Sequence, residues 1–379
     1  MSARRVEEDP VDALIVFADI VGSSNYSAVL GYDDYARRLL EFQDTFRALG
    51  RRYFPEVTDK ATQFSHVEAR GDEGVVFVTP LPRSRPANQP ALVFRAIEFL
   101  FHLKGRLELR GRDAPRGFEI GAGIHWGPVI HIISSEGNRS FISEIEGFAI
   151  NYAKRVESCS REGRYSRIFL SPEAVKSLEF EPVVLSPMRT AMRGIEDRVD
   201  LFEVRSGLFE KMDLRDDDEE LLQEAGHLAE NPTEIDAPWV KAFVVSALEA
   251  AIKTTAVKAE QELLRKRQAG LAWHSPKEDD PILLYLRSLE CRESGQHTRE
   301  LRYLRSILQE HPDFLHARLR LIKTCWVLAK SKAEPEDKLF ARDMAREFLD
   351  HYGDFLKPQE KKDFRRLLRD LGPRKRPRR

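Results

Sequence analysis

The stretch Ala13-Leu-Ile-Val-Phe-Ala-Asp-Ile-Val-Gly-Ser-Ser24 determines the fold that we expect for the first half of the chain. It starts with an uninterrupted apolar run, which predicts a buried β-strand. Asp19 stands where that strand ends, and the residues from Gly22 to Ser24 predict a turn that opens a helix. The segment therefore begins a sheet and places a carboxylate at the end of its first strand.

Around this stretch, short apolar runs alternate with segments of helical period. Two of the runs flank His125-Trp-Gly-Pro128, which predicts a hairpin turn. Strands and helices mixed in this order are typical of an α/β domain, here an α+β sandwich. The predicted strands are 13–17, 74–78, 118–124, 129–133, 167–170 and 199–204, and the predicted helices are 32–49, 92–103 and 149–160.

Composition changes after Ser206, and the remainder has helical period. The acidic run Asp216-Asp-Asp-Glu-Glu220 is typical of a solvated linker or of a helix start. The later helices predict either a tetratricopeptide-like array or an unrelated helical bundle. The predicted divisions are an N-terminal tail (1–11), the α/β domain (12–205), an acidic linker (206–238), a helical C-terminal domain (239–372) and a basic tail (373–379).

Composition limits the classes of function. The chain has 379 residues, of which 42% are hydrophobic, and a formal net charge of −1. This length predicts about two globular domains. No stretch approaches the roughly 20 uncharged apolar residues that span a bilayer, and the N-terminus lacks the apolar core of a signal peptide. We therefore expect a cytoplasmic protein that does not enter a membrane, and the balanced charge does not favour nucleic acid as a partner.

Four segments of the α/β domain carry candidate chemistry. Asp19 ends the first strand, Asp72 precedes another strand, and the His125-Trp-Gly-Pro128 turn comes third. Asn151 and Arg155 follow, four residues apart on one face of a predicted helix. Taken singly, each aspartate could be a helix cap or a turn residue. The combination in this order favours a catalytic site.

In these motifs and their order, residues 12–204 resemble the catalytic domain of class III nucleotidyl cyclases, the family of adenylyl and guanylyl cyclases. The resemblance implies a ferredoxin-like sandwich that converts a nucleoside triphosphate to a 3′,5′-cyclic nucleotide and pyrophosphate. It also implies two divalent cations, Mg²⁺ or Mn²⁺, bound by Asp19, Asp72 and the carbonyl of Ile20. Carboxylate and carbonyl oxygens are ligands that suit these hard cations.

The resemblance assigns roles to the remaining motif residues. Asn151 corresponds to the residue that orients the ribose, and Arg155 to the arginine that stabilises the transition state. The backbone of Gly22, Ser23 and Ser24 suits the triphosphate, because it opens a helix with free N–H groups. Arg193 stands where the family usually has a lysine that binds the triphosphate, and arginine keeps that charge. In this family the aspartates and the Asn/Arg pair come from opposite protomers, which implies a head-to-tail homodimer.

Two family positions that select the base are occupied by Glu68 and Glu144. A carboxylate at position 68 accepts a hydrogen bond from N1–H of guanine or N3–H of uracil, and disfavours adenine, whose N1 is an acceptor. If Glu144 and Arg70 also point inward, the pocket is small and polar, which favours UTP, or CTP, over a purine. If Glu144 faces solvent, GTP becomes the first expectation.

The domain layout also resembles the pyrimidine cyclases of bacterial Pycsar antiphage defence. That resemblance implies cyclic UMP or cyclic CMP as the product, and a helical domain that senses a protein or phage-derived activator. The alternative within the family is an ordinary guanylate or adenylate cyclase. The alternative from another class is a silent cyclase fold kept for dimerisation or binding.

Overall fold

The structure is a computed structural model, and it describes residues 3–6, 10–24, 30–55, 63–81, 89–109, 118–136, 139–176, 178, 181–209, 212–231, 238–255, 258–273, 281–312, 314–331, 335–352 and 358–370. Most strands of the described part join one mixed sheet in the order β3-β4-β2-β5-β7-β9-β8, and β1 and β6 pair with β5. The strands are β1 (Ala3–Val6), β2 (Val11–Ile20), β3 (Gln63–Arg70), β4 (Glu73–Pro80), β5 (Ile120–Glu136), β6 (Arg139–Glu146), β7 (Ile168–Leu170), β8 (Val183–Ala191) and β9 (Arg198–Gly207).

The six elements that follow β1, from β2 to β5, form a ferredoxin-like unit. Helix α1 (Tyr32–Tyr53) connects β2 to β3, and helix α2 (Gln89–Glu108) connects β4 to β5. The strand order β3-β4-β2-β5 with the sequence βαββαβ is that of the split βαβ motif. The expected α/β sandwich with a ferredoxin-like core is therefore confirmed.

Strand β2 is buried on both faces because helices cover both sides of the sheet. On one side, Phe46 of α1 packs edge-on against Phe99 of α2, 5.3 Å between ring centres. On the other side lies α3 (Phe148–Ser158), whose Ala149 and Ala153 pack against Phe17. Gly123 of β5 allows this close approach, because a β-carbon there would lie 2.2 Å from the backbone nitrogen of Glu157.

The hairpin predicted at 125–128 is wrong, because β5 runs through it as one strand. Residues 125–128 pair with β2, where His125 lies opposite Ile15 and Pro128 opposite Asp12. Backbone pairing with β2 outweighs the local turn preference of Gly-Pro. The second half of β5 pairs with β6 and with β1, so part of the predicted N-terminal tail is a strand.

The chain divides into two compact units, Met1–Ser275 and Pro276–Arg379. This division differs from the predicted one, in which the α/β domain ends at 205 and the helical domain begins at 239. The first unit also contains α4 (Pro172–Val175), α5 (Glu219–Glu230), α6 (Pro238–Thr254) and α7 (Lys258–Trp273). Phe209 explains part of the difference, since its ring packs on Phe101 of α2 with 4.7 Å between ring centres.

The acidic run assigned to a linker is anchored to the sheet domain. The Asp218 carboxylate is fully buried. It accepts hydrogen bonds from Arg52 Nη1 (2.8 Å), Arg106 Nε (2.6 Å) and His102 Nε2 (2.8 Å). The His102 Nδ1 atom lies 3.0 Å from the hydroxyl of Tyr53. Because an ionised carboxylate can only accept, His102 has a proton on Nε2, and burial lowers the pKa of its imidazole. The acidic run is therefore not a solvated linker, and its last two residues begin α5 (Glu219–Glu230).

The second unit consists of helices that pack on their neighbours in chain order. Buried Glu300 joins two of them, since it accepts hydrogen bonds from Arg320 Nε (3.1 Å) and Thr324 Oγ1 (2.8 Å). The tetratricopeptide-like arrangement stays a prediction, and the basic tail (373–379) lies outside the described residues. The helices are α8 (Pro281–Glu293), α9 (His297–Glu310), α10 (Leu315–Ser331), α11 (Pro335–Tyr352) and α12 (Pro358–Asp370).

Across the described residues, no helix combines the length and apolar character needed to cross a bilayer.

Candidate active site

Asp19 and Asp72 meet where β2 ends beside the β3–β4 turn. Asp19 lies opposite Glu73 in the β2–β4 ladder, and the N–H of Ile20 donates to the carbonyl of Asp72 over 3.1 Å. Gly71 turns the chain between the strands with φ +62°, a left-handed conformation that glycine adopts without strain. The structure thus brings the two predicted metal aspartates together at one corner of the sheet.

The electrostatics of this corner favour a bound cation. Burial raises the pKa of Asp19 to about 7, and the negative charges of Glu157 and Asp72 add to the effect. Its Oδ1 atom is buried and has no hydrogen-bond partner. A buried acceptor without a donor is costly, and a divalent cation would satisfy it. The donor set therefore fits Mg²⁺ or Mn²⁺.

Two aspartates supply fewer ligands than a site in which the protein alone coordinates the metal ion. Within the described ranges, no cluster of three or more His, Cys, Asp or Glu side chains is arranged to hold a metal ion. A site of this composition leaves ligand positions for waters and for substrate phosphates, as magnesium sites commonly do. The carbonyl of Ile20 as a third ligand stays a prediction.

The turn after Ile20 contributes a side chain as well as backbone. Gly22 has φ +73°, and Ser23 and Ser24 follow it with helical backbone. The Ser23 hydroxyl donates to Asp72 Oδ2 over 2.5 Å. Ser23 therefore orients the Asp72 carboxylate. The binding of a triphosphate by Gly22, Ser23 and Ser24 stays a prediction.

Helix α3 carries Asn151 and Arg155, as predicted. Asn151 is exposed. The Arg155 guanidinium lies 6.0 Å from the ring centre of Phe148 and against Gly194, and its Nη1 atom is buried without a hydrogen-bond partner. Gly194 follows Arg193 in the turn between β8 and β9, and Arg193 is exposed. Arg155 and the turn that bears Arg193 are thus neighbours.

The aspartate corner faces other residues of α3. Lys154 Nζ forms an ion pair with Glu157 Oε2 over 2.9 Å and a second with Glu73, and it lies 5.5 Å from the ring centre of Phe17. Asp19 interacts electrostatically with Lys154 and Glu157. Within one chain, the aspartates therefore meet the Lys154 side of α3, while Arg155 meets the β8–β9 turn.

Sequence reasoning did not identify Lys154, Glu157 or Glu73 as site residues. The spacing of Lys154 and Glu157 on a helix predicts an ion pair, but the contact with Glu73 depends on tertiary packing. It also missed Tyr35 of α1. Burial, with the negative charges of Asp72 and Asp19, raises the pKa of Tyr35.

The residues expected to recognise the base divide into two places. Glu68 and Arg70 are exposed on one face of β3. Arg70 pairs with Glu73, which pairs with Asp19, so Arg70 and Asp19 share a sheet face. Glu144 is exposed on β6, opposite Ile132 of β5. Convergence of Glu68, Arg70 and Glu144 on one pocket stays a prediction.

Comparisons with known proteins give a structural likeness. No family model and no curated protein matches the chain. The adenylyl cyclase CyaB from P. aeruginosa is 20% identical with a TM-score of 0.40, over 57% of this chain and 98% of that one. The guanylate cyclase domain of RhGC from Catenaria anguillulae, solved with GTP, is 19% identical with a TM-score of 0.38, over 51% of this chain and 96% of that one.

A non-canonical dimeric guanylyl cyclase domain of the RhoGC fusion protein from the aquatic fungus Blastocladiella emersonii is 19% identical with a TM-score of 0.37, over 51% of this chain and 96% of that one. Identities and TM-scores this low carry no conclusion about the activity of this chain. The solved structures to which the chain is similar are adenylyl and guanylyl cyclase domains.

Proposed function

We propose that the chain is a class III nucleotidyl cyclase that converts a nucleoside triphosphate to a 3′,5′-cyclic nucleotide and pyrophosphate. One observation carries the proposal: Asp19 and Asp72 meet at a strand end, and the buried Oδ1 atom of Asp19 has no partner. The sequence motifs agree with it. At each position where the family binds metal, orients the ribose or stabilises the transition state, this chain has a residue that can perform that role.

The residues divide the work of the reaction. The ribose 3′-oxygen attacks the α-phosphorus, and the bond to pyrophosphate breaks. Bound Mg²⁺ or Mn²⁺ supplies positive charge at the phosphate oxygens. Asp19 and Asp72 hold the cations, and Ser23 orients Asp72. The buried Nη1 atom of Arg155 has no hydrogen-bond partner. It could therefore donate to phosphate oxygens as negative charge develops on them.

A head-to-tail homodimer completes the proposed site. Within one chain Lys154, not Arg155, faces the aspartate corner. Asn151 is exposed, and so is the Phe148 ring, at 66%. An exposed aromatic side chain beside a polar site is typical of an interface. We therefore assign Asn151, Arg155 and Arg193 to the site whose aspartates belong to the partner subunit.

We propose a base with a ring N–H, either guanine or uracil. The Glu68 carboxylate is an acceptor for that N–H, and it would repel the N1 acceptor of adenine and the N3 acceptor of cytosine. Because Glu144 is exposed, GTP is the first candidate. UTP is the second, since Arg70 lies on the same face of β3 as Glu68 and could donate to a uracil carbonyl. A cyclic UMP product would support a cytoplasmic role in antiphage defence, with the helical second unit as a sensor for an activator.

A product assay tests the proposal. Purified protein is incubated separately with GTP, UTP, CTP and ATP plus Mn²⁺, and the products are identified by mass spectrometry. Asp19→Ala is the inactive control, and Lys266→Met, which removes an exposed ion pair with Glu262 on α7, is the control for substitution itself. A cyclic nucleotide that disappears only in Asp19→Ala supports the enzyme. No product from any triphosphate favours the silent binding module.

A further inference from the structure

Four carboxylates lie around the aspartate corner, although among the described residues no three of them are arranged to hold one ion. Asp19 and Glu73 are cross-strand neighbours, and Asp72 is adjacent to Glu73 in the chain. Glu157 of α3 acts on Asp19 through its charge. Asp19 and Asp72 are the proposed carboxylate ligands of the cations, and Glu73 and Glu157 are two further acids beside that pair.

A single ammonium group separates these carboxylates into two classes. Lys154 Nζ forms ion pairs with Glu73 and with Glu157, the latter over 2.9 Å. Glu157 is only 2% exposed, so it depends on this cation for compensation. Asp19 keeps one oxygen without a partner, and Asp72 receives only the Ser23 hydroxyl among the described side chains.

We propose that Lys154 is a positioning residue that holds Glu73 and Glu157 away from the divalent cations and leaves Asp19 and Asp72 as the carboxylate ligands. This inference rests on the proposed function and deepens it, because it concerns the charge of the same metal site. Four free carboxylates would bind cations more tightly but would repel the triphosphate. Lys154 keeps the site weak enough in the absence of nucleotide for phosphate oxygens to complete it.

The anchoring of Lys154 supports this role. Its stem crosses from α3 to the strands, where its ammonium lies over the ring of Phe17, a favourable cation–π position. The contacts with Phe17, Glu73 and Glu157 come from β2, β4 and α3, respectively. A cation held from three elements has little freedom to turn towards solvent. The proposed separation of the carboxylates is therefore built into the packing.

The test measures Mn²⁺ binding without nucleotide, by isothermal titration and by the electron paramagnetic resonance signal of free Mn²⁺. In Lys154→Met we expect the Kd for Mn²⁺ to fall by about tenfold, because one positive charge is lost and two carboxylates are released. Lys154→Arg should restore the wild-type Kd. Lys266→Met, which breaks an exposed Lys–Glu pair, should leave it unchanged.

A double variant keeps the test decisive if Lys154→Met does not fold. Lys154→Met leaves Glu157 buried and unpaired, so Lys154→Met/Glu157→Gln removes that charge while it still frees Glu73. It should fold and still bind Mn²⁺ more tightly than wild type. An unchanged or raised Kd in this folded variant overturns the role of Lys154 alone. Mn²⁺ binding that survives in Asp19→Ala overturns the metal site itself, and the proposed function with it. Neither readout requires turnover.

Discussion

The guanidinium of Arg155 lies beside Gly194, where an added β-carbon would be 3.2 Å from Arg155 Nη2. Gly194 also has φ +75°, a conformation that side chains rarely adopt. The β8–β9 turn therefore sets the position of the arginine to which we assign transition-state stabilisation.

Gly194→Ala should lower kcat by at least about tenfold, because it displaces Arg155 and removes a contact made in the transition state. Gly295→Ala is the matched control. Gly295 has φ +68° with nothing within 4 Å of an added β-carbon. Both variants should lose about 1 kcal/mol of stability to the left-handed backbone, measured by denaturant unfolding. Equal kcat values in the two variants would contradict the assigned contact.

Ser23→Ala should weaken Mn²⁺ binding and raise the metal concentration needed for half-maximal turnover. The hydroxyl donates to Asp72 Oδ2 over 2.5 Å, and loss of a hydrogen bond to a charged group costs about 2 kcal/mol. Ser23→Thr keeps the hydroxyl and should behave as wild type. If the alanine variant binds Mn²⁺ as wild type does, Ser23 has no part in orienting Asp72.

Asp218→Asn should lower the free energy of unfolding at pH 7 by about 3 kcal/mol, since it leaves buried cationic partners without their anion. Burial alone would raise the pKa of Asp218, but the hydrogen bonds from His102 and Arg52 hold it well below its usual range. A depressed pKa contributes stability above the unfolded value of about 4, and that contribution is lost as pH falls through the folded value. The difference between wild type and Asp218→Asn should therefore shrink from pH 5 towards pH 2. Urea unfolding at several pH values measures it, and a pH-independent difference would argue against a charged Asp218.

Mixing two inactive variants tests the head-to-tail homodimer. Asp19→Ala lacks the metal half of each site, and Arg155→Ala lacks the arginine half. In a mixed dimer one site receives both defects and the other is intact. Subunit exchange should therefore restore about a quarter of wild-type activity. Two variants that stay inactive when mixed, although native mass spectrometry detects the mixed dimer, would place all site residues within one chain.

The hydrophobic period of the sequence predicted those strands and helices that local sequence determines. The apolar run that ends at Asp19 is a strand, and Asn151 and Arg155 lie on one helix. The turn at His125 to Pro128 was wrong because pairing with β2 keeps that segment extended. The local preference of Gly-Pro for a turn stabilises less than the backbone hydrogen bonds that pair this segment with β2.

Long-range contacts explain what could not be predicted. Asp218 belongs to an acidic run, and its partner Arg52 lies 166 residues earlier in the chain. Lys154 has an ion pair with Glu157 that spacing predicts, but its contact with Glu73 depends on the packing of α3 on the sheet. The composition of a segment does not reveal such partners.

The anchored acidic run has a consequence for truncation. A fragment cut at residue 205, where the alternation of strands and helices ends, would leave Arg52, Arg106 and His102 without Asp218 and would strip Phe209 from Phe101. A piece that keeps these contacts has to extend at least to Asp218, and the three helices that follow belong to the same compact unit, which ends at Ser275. Trp239 of the second of these helices packs edge-on against Phe101, with 6.3 Å between ring centres. Removal of the helices would therefore expose part of the core of the sheet domain, and inactivity of such a fragment would not by itself demonstrate a regulatory role.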